Sequence, residues 1–137
     1  MARIIGLGGV FYKATDPEAR AEWYEKHLGL HQGDGYNGVE MRFRRPDTPE
    51  HQDMSLVAFF DTETEYLGKA GLPFMLNFVV EDIEGMVEKL RADGCDVDDK
   101  MQKESYGTFA WLTDPEGVRI ELWEPAGPAL DLPRKGG

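Results

Sequence analysis

Two stretches of this chain follow one plan. GGVFYKATDPEARAEWYEKHLG and FMLNFVVEDIEGMVEKLRADG each pass from an apolar run, through an aspartate, into a helical pattern that stops at glycine. After each come three shorter segments of strand character. The order strand, capped helix, three strands therefore occurs twice, and element order repeats more clearly than residue identity. Neither half buries much apolar surface alone. Paired, two such sheets close around a cleft with the helices outside, which makes the chain α+β.

Local signals set the elements. Residues 3–12, RIIGLGGVFY, predict a strand with glycines where the backbone bends or lies close to a neighbour. Asp16 and Pro17 are N-cap and first-turn signals. Ala19, Trp23 and His27, with Tyr24 and Leu28 beside them, form an apolar stripe, so Trp23 is expected in the core; Gly29 closes the helix. GLHQGDGYNG holds a short edge strand at most. VEMRFRR alternates, with Val39, Met41 and Phe43 on one face, PDTPEHQD is a loop, and MSLVAFFD is a strand. In the second half FMLNFVVED is a strand. Asp82 caps a helix whose apolar face is Ile83, Met86, Val87 and Leu90, and Gly94 ends it. CDV reads as a short strand, KMQKESYG as a loop, and TFAWLTD and VRIELWE as strands joined at PEG. The expected layout is a single domain over 1–137. Module one covers about 3–62, a linker with a helical turn 63–72, module two about 73–125, and a Pro- and Gly-rich tail 126–137 that is loose or covers part of a partner chain.

Composition narrows the function classes. With 26 acids against 15 Lys and Arg the formal charge is −11, which repels nucleic acid phosphates and anionic membranes. No nucleic acid or membrane partner is expected. A cationic ligand would be favoured, although simple solubility accounts for the charge as well. One cysteine, Cys95, allows no intrachain disulfide and suits a cytoplasmic protein. It is expected as a small buried apolar group. No apolar run approaches a membrane span, and the N-terminal residues read as a first strand, not a signal peptide.

Three pieces carry a family resemblance: the strand followed by DPEARAEWYEKHLGL, the unit LNFVVEDIEGMVEKLRADG, and above all FAWLTDPEGVRIELWEP. Over residues 3–125 the chain resembles the vicinal oxygen chelate superfamily, which holds the glyoxalase I, bleomycin-resistance and extradiol-dioxygenase proteins. The resemblance implies paired βαβββ modules forming a cupped mixed sheet, often completed by a second chain, so a homodimer is expected. It also implies about four side-chain metal ligands on the first and last strands of each module, holding Fe, Mn, Ni, Zn or Mg. Carried over, the ligand seven residues before the capping Asp16 is Gly9, and seven before Asp82 is Met75. MSLVAFF offers no donor before Asp61, so only Glu121 matches. His27 and His31 at the first helix end, and His51 in a loop, are on no cleft strand. No metal and no other cofactor is therefore expected, although a divalent ion is not impossible.

The period of two sorts what remains. Arg119, Glu121 and Trp123 share a strand face, as do Phe109 and Trp111, then Met75, Asn77 and Val79, then Gly9, Phe11 and Lys13. The expected ligand cup is Phe11, Met75, Asn77, Phe109, Trp111 and Trp123, with Arg119 and Glu121 as its charged members. The same aromatics also suit a core or a dimer interface. Asn77, an amide inside LNFVV, needs partners from a ligand or a neighbouring backbone. Tyr106 is a lid candidate or a surface residue. Glu121 has three readings: an ion pair with Arg119, a remnant ligand position that contacts a substrate donor or cation, or a catalytic general base. The chain as a whole is then a glyoxalase-like binder of a small organic molecule without the usual metal, a lyase, isomerase or dioxygenase-type enzyme using Glu121 with an incomplete or atypical metal site, or a structural or regulatory module.

Overall fold

The computed structural model describes residues 2–47, 49–50, 52–69 and 71–127. His51 and tail residues 128–137 lie outside the described residues. The elements run β1 (Arg3–Ala14), α1 (Pro17–Leu28), β2 (His31–Gln32), β3 (Gly38–Phe43), β4 (Asp53–Asp61), then β5 (Phe74–Glu81), α2 (Ile83–Ala92), β6 (Asp96–Glu104), β7 (Gly107–Thr113) and β8 (Arg119–Pro125). They form one eight-stranded mixed sheet in the order β2-β3-β4-β1-β5-β8-β7-β6. The first strands of the two modules, β1 and β5, pair antiparallel at the centre. Each is flanked by the last strand of its own module in parallel, β4 beside β1 and β8 beside β5. The sheet thus has an internal two-fold character, and the site sits where the halves meet.

Both helices start as their sequences dictate. The Asp16 carboxylate accepts from the Ala19 amide at 3.1 Å, Pro17 follows it, and Gly29 closes α1 in the left-handed region at φ 71°. Caps of this kind stabilise a helix by about 1 kcal/mol. Asp82 caps α2 by accepting from Gly85 at 3.1 Å. The Glu124 side chain of β8 adds two bonds, from the Asp82 and Ile83 amides at 3.1 and 2.9 Å. An acid from the sheet therefore sits at the positive end of the helix and ties α2 to β8. Ile83 and Val87 are buried against Val80, Ala110, Leu112 and Leu122, with Met86 and Leu90 packed around them.

Three sequence expectations are corrected here. Trp23 is 45% exposed, because α1 meets the sheet through Ala21 and Tyr24, which pack on Phe59 and Ala14. Two residues from Ala21 is 200° around a helix, so Trp23 faces away and meets Tyr24 edge-on and His27 at a tilt instead. KMQKE is not loop but the second half of β6, an edge strand whose polar residues need no buried face. Its pairing with β7 shifts register between Val97 and Met101, which hides the strand from a period-two reading. Cys95 is exposed, because it lies in the turn after α2, where its amide bonds the Leu90 carbonyl.

Candidate functional site

One transverse row of the sheet carries the site. Register pairs Glu40 with Leu56, Leu56 with Gly9, Gly9 with Asn77, Asn77 with Glu121, and Glu121 with Trp111. The next row on the same face brings Phe11 beside Ala58 and Met75. All these side chains stand on the face that the helices leave open. Phe11, Met75, Asn77, Trp111 and Glu121 are brought together and buried.

Backbone irregularity makes room for Asn77. β1 and β5 slip register between Leu7 and Gly9, so Gly8 is a bulged residue on the cup face. A Cβ there would overlap Asn77 Oδ1, and a Cβ on Gly9 would run into the Leu56 carbonyl. Gly8 therefore permits the Asn77 amide to lie across the strand, and Gly9 permits the close approach of β4.

Glu121 is 3% exposed. Its carboxylate accepts from Asn77 Nδ2 at 2.6 Å, from Trp111 Nε1 at 3.1 Å, and from the Tyr66 hydroxyl. All three donors are neutral. Burial pushes the Glu121 pKa up from its ordinary value, and the three hydrogen bonds oppose that rise only in part. Burial and the adjacent carboxylate raise the Tyr66 hydroxyl as well, so it remains the donor. Arg119 does not pair with Glu121. Its guanidinium grips Asp98 of β6 through two bonds, at 2.6 and 3.1 Å, holding that carboxyl below its usual range. Among the described residues, Asn77 Oδ1, in a residue 3% exposed, and Trp123 Nε1, which lies over Gly107, find no hydrogen-bond partner.

The aromatic members form a strip. Phe109 lies between Trp123 (centroids 6.2 Å, planes 2° apart) and Trp111 (6.4 Å, 18°), and Tyr106 meets its edge at 5.7 Å. Trp123 reaches a cavity of about 220 Å³ beside Val79 and Met54, at one end of the cup. Arg119 and Thr113 reach a larger one, about 700 Å³, at the other end.

Two features escaped the sequence reading. The linker is not a bystander: Leu67 is 2% exposed against Phe11, Ala58 and Met75, directly over the cup, and Tyr66 stacks on Phe60 with ring centroids at 5.7 Å. The signal was there, an apolar pair in the otherwise polar DTETEYLGKAG. The second is Glu40, a buried acid bonded by Arg42 at 3.3 Å and by the Tyr36 hydroxyl at 3.1 Å. Val39, Met41 and Phe43 lie on the opposite face of that strand, so their alternation does not mark Glu40.

A four-ligand divalent metal does not fit these residues. Gly9 offers no donor and no space for one. Met75 is fully buried in apolar contacts. Around Glu121 stand hydrogen-bond donors rather than further anionic or imidazole ligands, and no group of three His, Cys, Asp or Glu side chains converges among the described residues.

Sequence and fold agree on the family. Residues 7–122 match the model of the Glyoxalase/Bleomycin resistance protein/Dioxygenase superfamily. The chain belongs to that superfamily. No curated protein matches it. Among solved structures it is similar to methylmalonyl-CoA epimerase from Mycobacterium tuberculosis, at 24% identity over 90% of both chains, TM-score 0.57. A Streptomyces coelicolor methylmalonyl-CoA epimerase variant in complex with 2-nitronate-propionyl-CoA gives 18% identity over 91% of this chain and 100% of that one, TM-score 0.65. A superfamily member from Vibrio splendidus 12B01 gives 14% over 90% and 99%, TM-score 0.51. At these identities the likeness is one of fold, and one fold hosts many functions.

Proposed function

We propose that this member of the superfamily binds a small organic molecule in the aromatic cup, without the divalent metal that the family resemblance implies. The observation that carries the reading is the environment of Glu121: a buried carboxylate among aromatic walls, held by three neutral donors and lacking co-ligands. Such a group suits a ligand that presents a donor or a positive charge. Coenzyme A thioesters, the ligands named for the epimerase neighbours, fit less well, because several phosphate charges would meet a chain of net charge −11. The reading includes a cytoplasmic homodimer with no nucleic acid or membrane partner. No helix among the described residues is long and apolar enough to cross a membrane. The half-exposed Leu7, Met41 and Phe43 offer apolar surface to a second copy.

A second reading makes Glu121 an acid or base in a lyase- or isomerase-type reaction. The upward displacement of its pKa by burial favours this, since proton transfer near neutral pH needs such a group.

Two measurements test the proposal. Purified protein incubated with Ni, Zn, Mn or Fe and then desalted is expected to retain less than one metal per chain. Stoichiometric metal that disappears in Glu121→Ala would overturn the non-metal reading. A thermal-shift screen is expected to respond to aromatic cations more than to glutathione or coenzyme A thioesters. Ligand at a hundred times its Kd adds about 2.7 kcal/mol of stability, a readily visible shift. Silence across every class would sink the cup as a binding site.

A further inference from the structure

The cup is filled from within by the segment that joins the modules. Leu67 seals against Phe11, Ala58 and Met75, and the Tyr66 hydroxyl sits on Glu121. Tyr66 also stacks on Phe60, and Gly68 lies against the Arg119 side chain. The Thr64 and Gly68 amides bond the Asp61 and Glu65 carbonyls, and the Tyr66 amide bonds Thr64 Oγ1; these bonds stay within residues 61–68. Gly68 at φ +101° and Gly71 at φ +74° mark places where the chain turns in the region that favours glycine. On its outer side the segment forms one wall of the 700 Å³ cavity, through Glu65, Tyr66, Gly68 and Lys69, opposite Arg119 and Thr113. Lifting Tyr66 and Leu67 would join Glu121 to that cavity.

The groups under this segment define what replaces it. Among the described residues Glu121 has no ion-pair partner, and Asn77 Oδ1 has no donor although it is buried. Both are acceptors. An anion entering here would meet two more acceptors. A neutral hydroxyl reproduces only what Tyr66 already supplies. An ammonium gives Glu121 a charge-assisted bond, about twice as strong as a neutral one. The flanking faces of Trp111 and Phe109 favour a ring and a cation alike.

We propose that residues 62–69 are a displaceable strap whose Tyr66 and Leu67 occupy the cup of the free protein, and that the ligand is a ring-bearing organic cation whose N–H replaces the Tyr66 hydroxyl at Glu121. This rests on the cup being the binding site. Closure of the strap lowers the apparent affinity by the fraction of molecules that are open, so loosening it tightens binding.

Calorimetry on the full chain with benzylamine, neutral p-cresol and anionic phenylacetate tests both halves. Leu67→Ala is expected to bind benzylamine about tenfold tighter than wild type, on the population argument above. The exposed Leu28→Ala, at the end of α1, should bind as wild type does. Benzylamine should exceed p-cresol, phenylacetate should not bind, and Glu121→Gln should erase the preference for the amine. Saturation with benzylamine should speed hydrogen exchange at residues 64–69. Should Leu67→Ala fail to fold, Tyr66→Phe keeps the ring, removes only the hydroxyl, and is expected to tighten benzylamine about threefold. Equal benzylamine affinity in wild type and strap variants overturns the strap while leaving the cup intact. Equal affinity for benzylamine and phenylacetate overturns the cation. No binding of any probe to any variant overturns the cup itself.

Discussion

Two strands of this sheet carry a glutamate and an arginine two positions apart on the cup face, and they resolve the pairing differently. On β3, Glu40 and Arg42 bond each other at 3.3 Å with side chains 6% and 7% exposed. On β8, Arg119 and Glu121 have the same spacing, yet Arg119 turns outward to Asp98. The neighbours decide. Across from Glu40 and Arg42, β4 presents Leu56 and Met54, which offer a charge nothing. Across from Arg119, β7 presents the small Thr113, and beyond it β6 brings Asp98 within reach from its irregular stretch. One carboxylate is thus paired with a cation, and the other is held by neutral donors with Arg119 acting on it only at longer range. An uncompensated buried charge is unfavourable for folding. It is also the arrangement that a binding site for a cation or a proton requires.

Isosteric substitution separates the two acids most sharply. Glu40→Gln weakens the ion pair of a buried guanidinium, and losing a bond to a charged group costs about 1.5–3 kcal/mol. Glu121→Gln strands no cation. The new amide oxygen can accept from Tyr66 and Trp111, while the new NH2 faces an Asn77 that rotates to present its presently unpartnered Oδ1. Its effect at neutral pH is expected to stay within about 1 kcal/mol. Urea unfolding of both variants checks this, and equal losses would dissolve the distinction between the two halves of the cup.

The pH dependence of Glu121→Gln carries more information than its value at pH 7. The folded-state pKa of Glu121 is raised, so the folded protein holds that proton more tightly than the unfolded chain. Below the unfolded value, near 4.5, the acid is protonated in both states and adds no penalty. As pH rises from there through the higher folded value, wild type loses stability relative to Glu121→Gln. Above the folded value the difference is constant. Unfolding curves of the two proteins from pH 4 to 8 should therefore separate with the variant gaining. Parallel curves would mean that the carboxylate is not electrostatically strained.

Much of this architecture was legible in the chain. Asp16, Pro17 and Gly29, then Asp82 and Ile83 to Leu90, set both helices through local rules that tertiary contacts did not override. The strand faces of β5, β7 and β8 also followed, because each is buried on both sides and keeps period two. What could not be read was long-range. The partner of Arg119 lies 21 residues away on a strand whose register slips. The Tyr66 hydroxyl reaches Glu121 across 55 residues from a segment with no periodic signal at all. Pairing Arg119 with Glu121 used the right rule for two same-face residues. The molecule obeys that rule at Glu40 and Arg42, which bond each other at 3.3 Å.

The pairing of Arg119 with Asp98 provides the finest test. Asp98→Asn removes the charge that draws Arg119 away, and the side chains of this pair are 20% and 36% exposed, so the direct loss should be about 0.5 kcal/mol. The larger consequence is indirect. A released guanidinium two positions from Glu121, on the same face, is free to swing inward and supply the missing compensation. The Glu121 pKa would then fall, and the pH-dependent gap between Glu121→Gln and its parent would shrink in the Asp98→Asn background. A double-mutant cycle measured at pH 5 and pH 8 reads this directly, because coupling between the two positions should grow as Glu121 ionises. If the cycle closes additively at both values, Arg119 is fixed in place by its other contacts and Asp98 is not what keeps Glu121 without a cation. If the coupling appears only at the higher pH, Asp98 is the residue that makes the β8 half of the cup differ from the β3 half.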